Sequence, residues 1–365
     1  MCNFKWLKRK SIFFVCFVMI ITFIGLSGIS SAKSKTMELK VVTYLTPSYG
    51  DGFNCVVKMV DYINQYGKSR GISAKLYHSQ TVYKAKEMLP ALISGNIDIG
   101  VFMGPYVEGT LPIFGASDLP FIWDDVYTQR EGERKGSPFF NLVAKECAKK
   151  NLQLLSMSSS APEEFLMRKP FMTIESFKGM KVRVAGAVYA KALESIGAVP
   201  VSMPSSEAYT SLQRGVVDAV MGVDTTFRAR KLNEVAKYQI NIGAFQFDWP
   251  AMMNKGSFNR LSEEQKKVIW NAAEIYRHDF AIAESLGSGY LQMRNLFANN
   301  YGVNQKYLSE SEKEKLKKAM LEPTIKWWKE RVGAELGDKA LKAIEESKSW
   351  RKSNFGFLEL YPLKY

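Results

Sequence analysis

One pattern limits this chain more than any other: strands and helices alternate along it, and they do so twice. Leu39–Leu45 reads as a strand, Gly52–Tyr66 as a helix, Ile72–Tyr77 as a strand, Lys84–Ile93 as a helix and Ile97–Met103 as a strand. Such alternation builds a parallel sheet covered by helices. A second round opens at Leu152–Met157 and continues through extended pieces at Phe165–Arg168 and Met180–Val184. A helix over Ala187–Ile196, a strand at Val199–Met203, a helix over Glu207–Arg214 and a strand at Val217–Met221 complete it. Both rounds share a local turn, Leu92-Ile93-Ser94-Gly95-Asn96-Ile97-Asp98 against Leu212-Gln213-Arg214-Gly215-Val216-Val217-Asp218. In each, a helix ends on Leu, Gly takes the place of a left-handed cap, and an apolar residue followed by Asp opens the next strand. Two α/β units with one shared turn predict two pseudo-symmetric lobes.

The ends of the chain read differently. Lys5, Lys8, Arg9 and Lys10 precede an apolar run from Ile12 to about Leu26, and Ser30-Ser31-Ala32 supplies small residues before the polar Lys33-Ser34-Lys35. That is the layout of a secretory signal cleaved near Ala32, too short to span a membrane and without a cysteine for lipid attachment. About 330 residues remain, more than one compact core ordinarily organises. After Arg260, Ser262 and Gln265 form a capping box, and helical spacing runs through Ile269, Ala272, Ala273, Tyr276, Phe280 and Ala283 toward Phe297. A helix of more than 30 residues is roughly 50 Å long and reaches across both lobes. Two helices follow, one opened by Ser309 and Glu312 as a second capping box and one over Asp338–Ser347.

Charge and chemistry narrow the function. The four positives of the signal reduce the formal charge of +14 to +10, and the rest are spread out. The densest basic run, Lys313 to Lys318, is interleaved with Glu312 and Glu314, as on a solvated helix face, which excludes a nucleic-acid partner. Cys55 and Cys147 are the cysteines left in the mature chain, as two buried free thiols or, in an oxidising compartment, a bridge. With His78 and His278 alone beside them, no metal-ligand cluster can be assembled. The sequence has no Gly-rich dinucleotide or phosphate loop and no nucleophile elbow, so no cofactor and no enzymatic activity are expected. An exported hydrolase of α/β build would need an activated nucleophile that the chain does not offer.

The remaining signal gathers at the carboxyl ends of the expected strands, where open parallel sheets place their ligands. Met103–Tyr106, Arg183–Gly186 and Gly222–Thr226 lie there, with Phe245–Trp249 on the return toward the first lobe. Lys181, Val182, Arg183 and Val184 alternate as a strand with one apolar face, which leaves Arg183 facing either solvent or an anion in a cleft. Phe245 and Phe247 read as core. Arg168, before Lys169-Pro170, reads as a solvated loop residue or a second ligand contact.

The stretches SFKGMKVRVAG, LESIGAVPVSMPSSEAYTSLQRGVVDAV, KLNEVAKY and MNKGSFNRLSEEQKKVIWNAA resemble, in order, the extracytoplasmic solute-binding proteins of TRAP (tripartite ATP-independent periplasmic) transporters. The resemblance covers about Asn151 to Ala273 and, more loosely, Leu39 to Trp123, where ISGNIDIGVF and SDLPFIW fit. It implies a two-lobed periplasmic-binding-protein (Venus flytrap) clamp of α/β class, braced by the long helix. Residues 36–159 and 248–287 would form the first lobe, and 160–247 and 288–365 the second. It further implies a periplasmic monomer that closes on a small organic acid and delivers it to a small and a large membrane permease subunit. In that family the arginine of the Lys-x-Arg-Val strand, Arg183 here, forks onto the ligand carboxylate, a geometry lysine cannot reproduce. A hydrogen bond to a charged group contributes about 1.5 to 3 kcal/mol while micromolar binding needs about 8 kcal/mol, so enclosing walls must supply the rest. Tyr44, Phe102, Tyr106 and Trp249 are the candidate walls, with Arg168, Met103, Gly222 and Asp224 as further contacts. The chain departs from the family at Gly222, where many members carry Asn, and near Pro162 and Glu163, where sialic-acid binders carry a second arginine. The identity of the acid is therefore not carried over. The second reading is a binding protein of like shape serving an ABC importer for an anionic solute.

Overall fold

The structure, a computed structural model, describes residues 36–285 and 291–354, with side chains for 36–283 and 294–350. The signal-like segment lies outside them. Eleven strands in the described residues form two sheets. The first half of the chain contributes β1 (Met37–Thr43), α1 (Asp51–Gly67), β2 (Ile72–Tyr77), α2 (Met88–Ile93), β3 (Ile99–Val101), α3 (Gly104–Val107), α4 (Val126–Gly132), α5 (Pro138–Ala148) and β4 (Leu152–Ser156). The second sheet and its cover begin with β5 (Glu163–Met167), β6 (Lys181–Val184), α6 (Ala187–Glu194), β7 (Val199–Ser202), α7 (Ala208–Gln213), β8 (Ala219–Gly222), α8 (Asp224–Ala229) and β9 (Tyr238–Phe245). The chain then returns through β10 (Ala251–Asn254), α9 (Lys255–Asn259), α10 (Glu263–Ser285), α11 (Leu291–Asn299), β11 (Asn304–Tyr307), α12 (Glu310–Val332) and α13 (Ala334–Asn354).

Periodicity explains the helices that matter most. In α1, Phe53, Val56, Met59, Val60 and Ile63 recur at helical spacing and are buried, against α10 among others. Both expected capping boxes form. Ser262 N donates to Gln265 Oε1 at 2.9 Å, and Gln265 N donates to Ser262 Oγ at 3.3 Å; Ser309 and Glu312 make the same exchange ahead of α12.

The shared turn is present twice, down to its hydrogen bonds. Gly95 and Gly215 take φ of +80° and +71°, which Gly adopts without a Cβ penalty. Asp98 Oδ2 accepts from the backbone N of Lys40 at the start of the first sheet, 2.8 Å, and Asp218 Oδ2 accepts from the backbone N of Lys181 at the start of β6, 2.9 Å. Each Asp closes the entrance of a parallel strand pair.

Sheet order differs from the simple alternation. The first sheet runs β2-β1-β3-β10-β4, with β10 antiparallel to both its neighbours. The strand expected to open the second round, β4, therefore belongs to the first sheet. The second sheet runs β11-β9-β5-β8-β6-β7, with β6 parallel to β7 and β8, and β5 antiparallel to β8 and β9. One face of this sheet packs Leu166, Val220, Leu212, Phe227 and Phe297 into a core, each burial contributing roughly 1.5 to 3 kcal/mol. The long helix expected from Ser262 toward Phe297 is described as α10 and α11; α10 packs on α1 beside the first sheet, α11 on α8 beside the second. Residues 286–290 lie outside the described residues. The C-terminal helices also divide, α12 packing on α6 while α13 packs on α4 and α5. The architecture is α/β and two-lobed, one lobe on each sheet.

Candidate functional site

Arg183 sits near the carboxyl end of β6, paired to Val220 of β8 and Val201 of β7, and is 1% exposed. Burial removes the solvent reading for Arg183, whereas Lys181, two residues earlier, is exposed. The guanidinium is held on three sides: Nε donates to the Met203 carbonyl at 2.9 Å, Nη1 to the Met221 carbonyl at 3.0 Å, and Nη2 to the Tyr106 hydroxyl at 3.1 Å. A guanidinium has five N–H groups. These bonds leave one N–H on each terminal nitrogen, the pair with which arginine grips a carboxylate.

The wall around this fork is aromatic and comes from the first lobe. The Tyr106 hydroxyl, which accepts from Arg183, also accepts from the backbone N of Ser205 at 2.9 Å. The Tyr44 ring lies 5.3 Å from that of Tyr106 and stacks on Trp249 at 5.9 Å, with 14° between planes. Trp249 is buried with its Nε1 lacking a partner. Burial holds the Tyr44 hydroxyl well above its ordinary value, the neighbouring tyrosines adding to this and the Arg230 and Arg183 guanidiniums opposing it. Tyr44 is thus a neutral hydroxyl within electrostatic reach of two arginines.

Four residues not anticipated from sequence, Tyr49, Ser205, Arg228 and Arg230, adjoin this group. The Tyr49 hydroxyl is 3.2 Å from Ser205 Oγ, which takes a 3.4 Å bond from Arg230 Nε. The Arg230 guanidinium lies 5.3 Å from the centre of the Tyr49 ring. Arg228 Nη2 donates to the Ser48 carbonyl at 3.1 Å. Gly50, with φ of +63°, permits this approach: a Cβ there would lie 2.9 Å from Arg228 Nη2. The rule that ligands meet strand ends, applied to the loop after β1, would have found Tyr49.

The other candidates divide. Tyr44, Tyr106, Trp249 and Arg183 are brought together. Met103 caps α3, the helix carrying Tyr106, and Phe102, just past β3, lays its ring across Gly100 of that strand. Gly222 ends β8 beside Phe227 and Thr226. Asp224 is engaged elsewhere: it takes a 2.6 Å bond from Gln239 Nε2 and lies 3.4 Å from Arg294 Nε, and Arg294 also pairs with Glu164 at 2.6 Å. Arg168 follows the far end of β5, whose cleft end is Glu164 opposite Gly222, roughly 13 Å away at 3.3 Å per residue. It opens on a surface hollow with Lys169, Lys178 and Asp218, the solvated of its two expected places.

Behind the cleft is a layer of buried acids. Glu108 Oε2 accepts from the backbone N of Ala187 and Val188 at 2.9 and 3.2 Å, capping α6 in place of a side chain from Gly186. A Cβ on Gly186 would fall 2.5 Å from Glu108 Oε1. Burial pushes the carboxyls of Glu108 and Asp118 above their ordinary range, the charge of Glu108 adding to the rise at Asp118. Among the described residues no cluster of His, Cys, Asp and Glu could hold a metal ion, and no helix is long and apolar enough to cross a membrane.

Known proteins resemble this chain in sequence and in fold. The chain is 25% identical over 270 residues to the C4-dicarboxylate-binding periplasmic protein of Rhodobacter capsulatus, covering 72% of this chain and 78% of that one. It is 27% identical over 209 residues to a solute-binding protein of Albidiferax ferrireducens, covering 55% of this chain and 60% of that one. The chain thus spans about 60% of the length of curated relatives of this second kind. In fold it matches a TRAP periplasmic solute-binding protein of Desulfovibrio salexigens solved with orotic acid, at a TM-score of 0.77 and 20% identity, covering 86% of this chain and 99% of that one. The family model described as bacterial extracellular solute-binding protein, family 7, matches residues 53–331, and the chain belongs to that family.

Proposed function

We propose that this protein is a periplasmic solute-binding protein that captures a small organic acid between its lobes and delivers it to a TRAP-type permease of one small and one large membrane subunit. It performs no chemistry on the solute. The observation that carries this reading is Arg183, buried and fixed by three acceptors with one N–H left on each terminal nitrogen. One such charged fork falls short of the roughly 8 kcal/mol that micromolar affinity requires. Tyr44, Tyr106 and Trp249 supply enclosure, and because Tyr106 and Arg183 come from different lobes, a ligand touching both favours closure. The relatives named for the acids they bind support the same class of solute. None of these likenesses favours the ABC-importer reading.

A thermal-shift panel of monoacids, diacids, keto acids, aromatic acids and sugar acids tests the class. At least one acid is expected to raise the melting temperature, and stabilisation by neutral sugars alone would overturn the reading. Arg183→Ala is expected to abolish that shift, and calorimetry showing unchanged affinity in the variant would remove Arg183 from the site.

A further inference from the structure

Around the Arg183 site stand two further guanidiniums, those of Arg228 and Arg230. Among the described residues, no carboxylate lies within 4.0 Å of a guanidinium nitrogen of Arg183, Arg228 or Arg230, although ion pairs are common elsewhere in the molecule. Arg228 Nε and Arg230 Nη2 are buried without a hydrogen-bond partner. Leaving a charged donor buried and unmet is costly, so such positions are poor choices for mere structure. Both arginines face the loop that carries Ser48 and Tyr49, and Arg230 shares Ser205 with the Arg183 site: Ser205 N donates to the Tyr106 hydroxyl that Arg183 also contacts, while Ser205 Oγ takes the bond from Arg230 Nε. Two guanidiniums therefore stand on one continuous rim, bridged by Tyr106 and Ser205.

We infer that Arg230 is a second anion-reading residue and that the ligand is a dianion, its first carboxylate on Arg183 and a second acidic group on Arg230. The inference rests on the carboxylate reading of Arg183. Arg230 meets the second group with Nη2, and Tyr49 packs on the guanidinium and keeps it from turning away. Arg228, tied to the Ser48 carbonyl, adds positive charge at the same rim.

Matched acids separate this from simple closure of the lobes. Calorimetry compares succinate, glutarate and adipate with their monoamides, and glucarate with glucuronate, so that each pair differs by one charge at nearly constant size. For at least one pair the diacid is expected to bind about 30-fold more tightly, the worth of one charge-assisted contact. Arg230→Gln is expected to bring that diacid down toward its partner, most of the loss falling on the diacid, while an unchanged circular-dichroism melting curve shows that the variant is folded. Equal weakening of both members would assign Arg230 to lobe closure and overturn the inference, as would diacids that bind no better than their partners while Arg183→Ala still abolishes binding. If no acid binds the unaltered protein, the Arg183 reading itself falls and takes this one with it. Should Arg230→Gln fail to fold, Arg230→Lys carries the test, with a several-fold loss expected for the diacid alone because lysine keeps the charge without the fork; loss shared by both members overturns the inference again.

Discussion

Glu163 lies at the cleft end of β5, buried, with no hydrogen-bond partner on either carboxylate oxygen. Burial pushes its carboxyl up to about 8, against the opposing pull of the Arg183 guanidinium and with a small addition from Glu164. Its ordinary value is 4.5, so between pH 4.5 and 8 the unfolded chain has released a proton that the native state keeps. The native state then binds more protons, and stability falls as pH rises through that window, by about 1.4 kcal/mol per unit at most. Glu163→Gln is expected to raise the melting temperature at pH 8 and to leave it nearly unchanged at pH 4.5; equal shifts at both values would rule out an ionisation effect. Arg183 and Glu163 also mark what single residues disclose in advance. A charge alternating with valines on a strand is visible in sequence, and so Arg183 could be named. Arg230 could not, because it stands eight residues past β8, beyond a helix, and only folding brings it back to Ser205. Asp224 shows the opposite case: it follows β8 directly, but Gln239 and Arg294 engage its carboxylate from distant parts of the chain.

Helices and strands were more legible than their partners. The repeated Leu-x-x-Gly turn, the spacing in α1 and both capping boxes are local, so the sequence pattern locates them within a few residues. The pairing of β4 with β10 is not local: nearly 100 residues separate the two, and periodicity carries no record of which neighbour a strand chooses. The two copies of the turn permit a test at this scale. Asp218→Ala leaves the backbone N of Lys181 without its acceptor at the start of the strand that carries Arg183, and, because water can reach this exposed donor, is expected to cost about 0.5 to 1.5 kcal/mol in urea unfolding. Asp98→Ala removes the matching bond to Lys40 and also one from Ser257 Oγ at 2.6 Å, so its cost is expected to be larger. The sites lie on different sheets and share no partner, so the double variant should show the sum within about 0.5 kcal/mol; a clear departure would show that the lobes do not unfold independently of these turns.

At the scale of the whole molecule, the two lobes are not two stretches of chain. β10 lies between β3 and β4, and Trp328 of α12 donates its Nε1 to the Pro112 carbonyl at 2.9 Å. The last strand of the first sheet thus has no neighbour until Ala251–Asn254 has been made. A fragment ending at residue 160 is expected to show no cooperative unfolding transition, whereas one with the second lobe and β10 restored should regain it; a cooperatively folded short fragment would contradict the topology's claim on folding. For a chain that emerges amino end first, this sets a timetable: roughly a hundred residues beyond β4 must appear before the first sheet can close, and until then β3 and β4 offer unsatisfied edges to any other strand nearby. The central position of one late strand thus delays closure of the first sheet until about two thirds of the chain has been made.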